Sequence, residues 1–147
     1  ANATDGSSYL EIVSFLKADG AKPKRDLEEL WKRIVFSMAV SNTDDHFRNH
    51  GFILSDEGWE LSPLYDVNPD IYGEYLSLNV DADNSSIDFE LAVQAAPYYG
   101  IGKKYVVQEV DKIKNTVREN WKELAKKYGI SRGEIERMSP AFRECDR

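Results

Sequence analysis

Between Gly102 and Gly129, the residues Val106, Val110, Ile113, Val117, Trp121, Leu124 and Tyr128 recur at steps of 4, 3, 4, 4, 3 and 4. That period marks one face of an α-helix, and Gly129 suits its end. A chain that commits so long a stretch to one amphipathic helix is expected to be mainly helical, and the rest of the sequence agrees. Tyr9, Leu10, Ile12, Val13 and Leu16 mark a shorter helix that stops at Gly20. Lys22 to Arg25, with Pro23 inside, read as a solvated basic link. Asp26, three residues before Glu29, is then placed to cap a second helix. Leu27, Leu30, Trp31, Ile34, Val35 and Met38 keep the helical spacing there. The run IVFSMAV is apolar almost all round, so the second half of this helix should enter the core.

The remaining elements are short. Gly51–Leu54 and Trp59–Leu61 read as two strands joined by the turn SDEG, and Leu76–Val80 is a further strand-like alternation. NPDIYGEY and DADNSS are loop signals. Ser85 or Ser86 is expected to cap a helix that runs to about Ala96, where Pro97 limits it. Gly100 and Gly102 read as a helix junction, and Ser131 with Glu134 as the capping box of a last short helix. The fold class expected is mainly α (α+β): a helical bundle with a small β-hairpin inserted after the second helix.

Length and charge narrow the function. The 147 residues suit one domain with a real core. A net charge of −7 argues against a broad basic surface for direct binding of nucleic acid or anionic membrane. The single cysteine, Cys145, excludes an internal disulfide and is compatible with a reducing cytoplasm. No apolar run is long enough to cross a bilayer. The opening ANATDGSS is small, polar and without methionine. Residues 1–8 are therefore expected to be a disordered or expression-derived start, and residues 9–147 the domain itself.

The chemistry is concentrated in SNTDDHFRNHGF, Ser41 to Phe52, which holds both histidines of the chain. Phosphoryl transfer needs a carboxylate near the attacking hydroxyl and oxygen ligands for Mg²⁺. In protein kinases that carboxylate and a metal-binding asparagine lie five positions apart on one loop, and a metal-binding aspartate follows. Asp44 and Asn49 have that separation, and Asp66 follows the expected hairpin. The pair alone is equally a polar loop, because Asp and Asn are common loop residues. His46 and His50 have the spacing of a zinc pair on a helix, but the accompanying Glu is missing. His50 is better read as a structural hydrogen-bonding residue at the start of the strand. Asp45 reads as the neighbour of the catalyst, capping or facing solvent. Asp70, Asp81 and Asp83 lack the calcium-loop pattern and read as a solvated acidic loop.

The spacing Asp-x-His-x-x-Asn resembles that of atypical kinases of the phosphatidylinositol kinase type. Together NTDDHFRNHGFIL, GWELSPLYDVNP, FELAVQAAPYYGI and RMSPAFREC resemble the HipA-like kinase family, specifically its C-terminal kinase domain, from about Tyr9 to Cys145. The resemblance implies a protein-kinase-like C-terminal lobe that transfers the γ-phosphate of ATP to a protein serine or threonine. It implies Asp44 as the catalytic aspartate and Asn49 and Asp66 as Mg²⁺ ligands. His46 and Arg48 would lie near the transferring phosphate, and Asn42 and Thr43 at the loop entry. It further implies a bacterial, cytoplasmic toxin with a small DNA-binding antitoxin as partner, and no direct contact with nucleic acid. Tyr-Asp-Val stands around Asp66 where ordinary protein kinases have Asp-Phe-Gly.

A kinase also needs a cradle for the ATP phosphates and a strand lysine. GIGKKY, Gly100 to Tyr105, lacks the phosphate-loop spacing. The N-terminal ATP lobe is thus expected to be absent, and these residues alone to be inactive. Two rival readings remain. One is a non-catalytic interaction module derived from the lobe. The other is a metal-dependent phosphohydrolase using Asp44, Asp45, His46 and Asp66, which is short of histidine ligands.

Overall fold

Ser8 opens the first helix with a reciprocal cap. Its hydroxyl accepts the Leu10 N–H at 3.1 Å, and the Glu11 carboxylate accepts the Ser8 N–H at 3.0 Å. The same hydroxyl donates to the carbonyls of Asn79 and Asp81, so Ser8 belongs to the folded unit rather than to a loose start. The computed structural model describes residues 5–147, and residues 1–4 of that expected start lie outside the described residues. Helix α1 (Tyr9–Asp19) ends at Gly20 as the sequence predicts.

Helix α2 (Pro23–Val40) begins earlier than expected. Lys22–Arg25 is not a link, because Pro23 occupies the first turn, where its missing N–H costs nothing. Nor does Asp26 cap the helix. Its buried carboxylate accepts the Leu61 N–H at 2.9 Å and so ties the hairpin to α2. Strands β1 (Phe52–Ser55) and β2 (Gly58–Leu61) pair antiparallel, Phe52 opposite Leu61 and Ser55 opposite Gly58. The hairpin also leans on the α1–α2 corner, where the Ala21 N–H donates to the Trp59 carbonyl at 2.8 Å.

Leu76–Val80 turns Leu76, Leu78 and Val80 inward as alternation predicts, but it joins no sheet. Its pairing is limited to isolated bridges, Ser8 with Asn79 and Tyr75 with Ser86. Those bridges also explain why the next helix starts late. Ser85 and Ser86 are held in the bridge and in a turn around Asn84, so Asp88 caps α3 (Phe89–Ala95) instead. Pro97 opens a 3-10 turn, Ala96–Tyr99, rather than simply stopping the helix. Gly100 and Gly102 form the junction to α4 (Lys103–Lys127). Ser131 caps α5 (Arg132–Met138), and a further 3-10 turn, Ser139–Asp146, closes the chain.

Helix α2 runs through two cores. From Leu27 to Met38 it packs with Tyr9, Leu16, Leu61, Leu78, Val80, Tyr99 and Val106. Its last turn packs with Val117, Ala141, Phe142 and Cys145. The fully buried Trp31 donates its indole N–H to the Ala92 carbonyl at 2.9 Å, which satisfies the one polar atom that burial would penalise. The stripe on α4 is core only in part. Val106, Val110 and Val117 are buried, and Trp121 stacks on Phe142 at 4.0 Å. Leu124 and Tyr128, on the same stripe, are 48% and 76% exposed. The cover at that end is the seven-residue α5 and the turn after it, and only Ala125 of the last turns is buried. The domain is mainly helical with one two-stranded sheet. No described helix is long and apolar enough to cross a membrane.

Candidate active site

The polar loop is launched from a buried helix end. Ser41 closes α2 in the left-handed conformation, fully buried, and donates to the Ala141 carbonyl at 2.7 Å. Its own carbonyl accepts the Asp70 N–H at 2.9 Å. Asn42, also buried, accepts the Asn68 N–H at 3.3 Å. The Thr43 hydroxyl donates to Asp70 Oδ2 at 2.9 Å, and the Thr43 carbonyl accepts the Ser77 hydroxyl at 2.5 Å. The two segments that carry the predicted site, 41–50 and 62–70, are therefore laced together just before Asp44 on the first and just after Asp66 on the second. The fit is close: a β-carbon on Gly73 would lie 2.3 Å from the Thr43 methyl.

Asn49 ends a short 3-10 turn, Phe47–Asn49, and is buried. Its side-chain N–H donates to Asp66 Oδ2 at 3.0 Å, and its Oδ1 accepts the His46 N–H at 3.3 Å. Asp66 adopts a left-handed backbone, φ 56°, a region that Asp and Asn tolerate better than other side chains. Its other carboxylate oxygen accepts from Asn68 Nδ2 at 2.8 Å. Both donors are neutral amides, and no Lys or Arg pairs with Asp66 among the described residues, so its charge is left uncompensated.

Asp44 points outward, 74% exposed, with His46 Nε2 at 3.9 Å from its Oδ1. It makes no bond to Asn49 or Asp66. His46 is half-buried, and its Nδ1 is enclosed without a partner. Arg48 is exposed, while its carbonyl accepts the Tyr65 hydroxyl at 2.7 Å. The structure thus joins Asn49 to Asp66 directly and leaves Asp44, His46 and Arg48 on the open side of the same loop.

Asp45 is the correction. It neither caps nor faces solvent. It is 3% exposed, and its Oδ2 accepts the Tyr9 hydroxyl at 2.5 Å and His50 Nε2–H at 2.9 Å. His50 makes a buried hydrogen bond to Asp45, as the structural role predicted for it requires. The inward turn of Asp45 also removes one ligand from the phosphohydrolase set. The acidic loop is more ordered than the sequence suggests: Asp70 binds Thr43 and the Tyr72 N–H, and Asp81 accepts from Asp83 and Asn84 N–H groups. Tyr9, Asn68 and Asp70 went unforeseen as site-building residues. Only Asn68, two residues after Asp66 in a polar turn, carried a local signal.

A carboxylate and an amide oxygen are hard donors that suit Mg²⁺, but here Asn49 turns its N–H to Asp66 and its Oδ1 to the His46 N–H, so the Asn49 oxygen reaches an ion beside Asp66 only after the amide turns over. No group of three or more His, Cys, Asp or Glu side chains able to hold a metal occurs among the described residues. Mg²⁺ is commonly held by one or two carboxylates plus substrate phosphates and water rather than by a full protein cage.

The helical domain with this loop is of the HipA-like C-terminal type: the model of the family described as HipA-like C-terminal domain matches residues 1–138, and the chain belongs to that family. The chain is also 26% identical over 125 residues to the protein named "Putative kinase Y4mE" of Sinorhizobium fredii (strain NBRC 101917 / NGR234). The match covers 85% of this chain and 24% of that relative, so the chain spans about a quarter of the relative's length.

Proposed function

We propose that the chain is the C-terminal lobe of a serine/threonine protein kinase that transfers the γ-phosphate of ATP to a protein hydroxyl. The observation that carries this is the Asn49–Asp66 hydrogen bond, which brings together two residues 17 apart in sequence. Family membership and the kinase-named relative support the same reading. Asn49 and Asp66 would hold the Mg²⁺. When bound, the ion would neutralise charge on the nucleotide phosphates. Asp44, exposed on the same loop, orients the acceptor hydroxyl and takes its proton. Arg48 and His46 flank that position and offset phosphate charge. The ATP phosphates would be cradled chiefly by polypeptide outside this chain, in keeping with its share of the relative's length. From the resemblance to the HipA-like kinases we further propose a bacterial toxin role, with a small DNA-binding antitoxin as partner in the cytoplasm.

A second reading, a non-catalytic interaction module, is favoured by one observation. Leu124 and Tyr128 stand exposed beside an apolar groove of about 710 Å³, which Val67 and Pro69 also line.

Labelled ATP separates the readings. With the longest polypeptide that encodes this domain, a kinase places the label on protein serine or threonine. Release of free phosphate alone supports the hydrolase, and no turnover in any partner's presence supports the interaction module. The 147-residue chain by itself should show little or no transfer.

A further inference from the structure

Asp45 and His50 each stand one residue after a proposed site residue, Asp44 and Asn49, and the loop turns the two pairs in opposite directions. Asp44 is open to solvent, whereas Asp45 and His50 close on each other across the base of the loop at 2.9 Å. The same Asp45 oxygen receives the hydroxyl of Tyr9, from the first turn of α1. The Tyr9 ring meets the His50 ring edge-on at 5.9 Å and 87°, and both side chains are fully buried. A carboxylate oxygen only accepts, so Tyr9 and His50 Nε2 are both donors here. His50 Nδ1 has no partner, so the bond to Asp45 is what fixes the ring's orientation. Burial and the charge of Asp45 hold the Tyr9 hydroxyl well above its usual pKa, which keeps it a donor.

Three polar groups in a core cost stability unless they are paired, and an apolar trio would fill the same space without that cost. What the trio adds is direction. It ties both ends of the loop to α1, and the backbone that leaves Asp45 and enters His50 carries Asp44 and Asn49. We propose that Tyr9, Asp45 and His50 are positioning residues for phosphoryl transfer, a buried latch that holds Asn49 against Asp66 and sets Asp44 on the loop. The proposal rests on the kinase reading above for its purpose, but not for its geometry.

The test uses this chain and two readouts. Hydrogen exchange of the Asn49 side-chain amide, followed by NMR, reports the Asn49–Asp66 bond. Exchange of the α2 backbone amides at Leu30 and Ile34 reports global stability. Mn²⁺ alone, followed by paramagnetic broadening, probes the metal site. Tyr9→Phe and His50→Leu each remove one donor, and His50→Gln returns one. The latch predicts that Tyr9→Phe and His50→Leu speed Asn49 exchange by about 10-fold or more beyond any change at Leu30 and Ile34. Mn²⁺ binding should weaken by about 10- to 100-fold, the usual reach of residues behind a metal ligand, with His50→Gln recovering most of both. If Asn49 exchange merely follows the α2 amides in every variant, the latch is refuted. Should His50→Leu not fold, Tyr9→Phe, which keeps the ring, decides alone. Failure of the unsubstituted chain to bind Mn²⁺ would overturn the metal reading, while the Asn49 amide would still decide the latch.

Discussion

Asn49 and Asp66 meet at 3.0 Å, one the buried last residue of a 3-10 turn and the other a left-handed residue of an exposed segment. The hairpin between them makes the meeting possible. Its strands return the chain to the loop, and the bonds from Asn42 to Asn68 and from Thr43 to Asp70 fix the approach. If the two residues share one ion, their substitutions should not be additive. Asn49→Ala and Asp66→Asn should each weaken Mg²⁺ binding by an order of magnitude or more, and the double variant should be little worse than either. A calorimetric titration of the four proteins checks this.

The Thr43–Gly73 contact predicts a second non-additive pair. Gly73→Ala forces its β-carbon into the Thr43 methyl and should cost about 1–3 kcal/mol, the range for overpacking. Thr43→Ser keeps the hydroxyl that binds Asp70 and removes the methyl, so Gly73→Ala with Thr43→Ser should recover most of the loss. Denaturant midpoints of the two single variants and the double variant decide it.

What the sequence made legible follows local chemistry. Period 3.6 located α1, α2 and α4, because side-chain spacing on a helix is a local property. The order Asp44, Asn49, Asp66 stood out because kinase-type loop chemistry uses those residue types in that order, and the structure joins Asn49 to Asp66. Burial was harder to read. Asp45 and Asp44 are identical neighbours, and the positions of Tyr9 on α1 and of His50 distinguish the one that turns inward. Leu124 and Tyr128 keep the helical period, yet a period gives a face and not its cover. The start of α3 moved to Asp88 because tertiary pairing of Ser85 and Ser86 overrode two good capping residues.

Trp31 tests the first core. Trp31→Phe keeps an aromatic ring but leaves the Ala92 carbonyl without its donor and opens space, so it should destabilise the domain by about 2–4 kcal/mol. The denaturant slope should stay unchanged, since the unfolded surface is nearly the same.

Cys145 should be inert in the folded protein. It is 1% exposed, its thiol donates to the Ala39 carbonyl, and burial pushes its pKa up to about 11. A thiol reagent at pH 8 should react only on unfolding. The sign of the linkage follows: this thiol's contribution to stability is complete below the usual thiol pKa and is lost as pH rises from there toward 11. Rapid labelling without unfolding would contradict the burial.

The most direct measurement compares Asp44→Asn with Asp66→Asn in the longest polypeptide that encodes the domain, scoring Mg²⁺–ATP affinity and phosphate transfer to protein separately. Asp44 is open and unattached to the proposed metal pair, so Asp44→Asn should leave affinity within about threefold while transfer falls by about two orders of magnitude or more, the scale of a lost general base. Asp66→Asn should lower affinity and transfer together, with partial recovery at high Mg²⁺. Full transfer by Asp44→Asn, or unchanged Mg²⁺–ATP affinity in Asp66→Asn, would contradict the account.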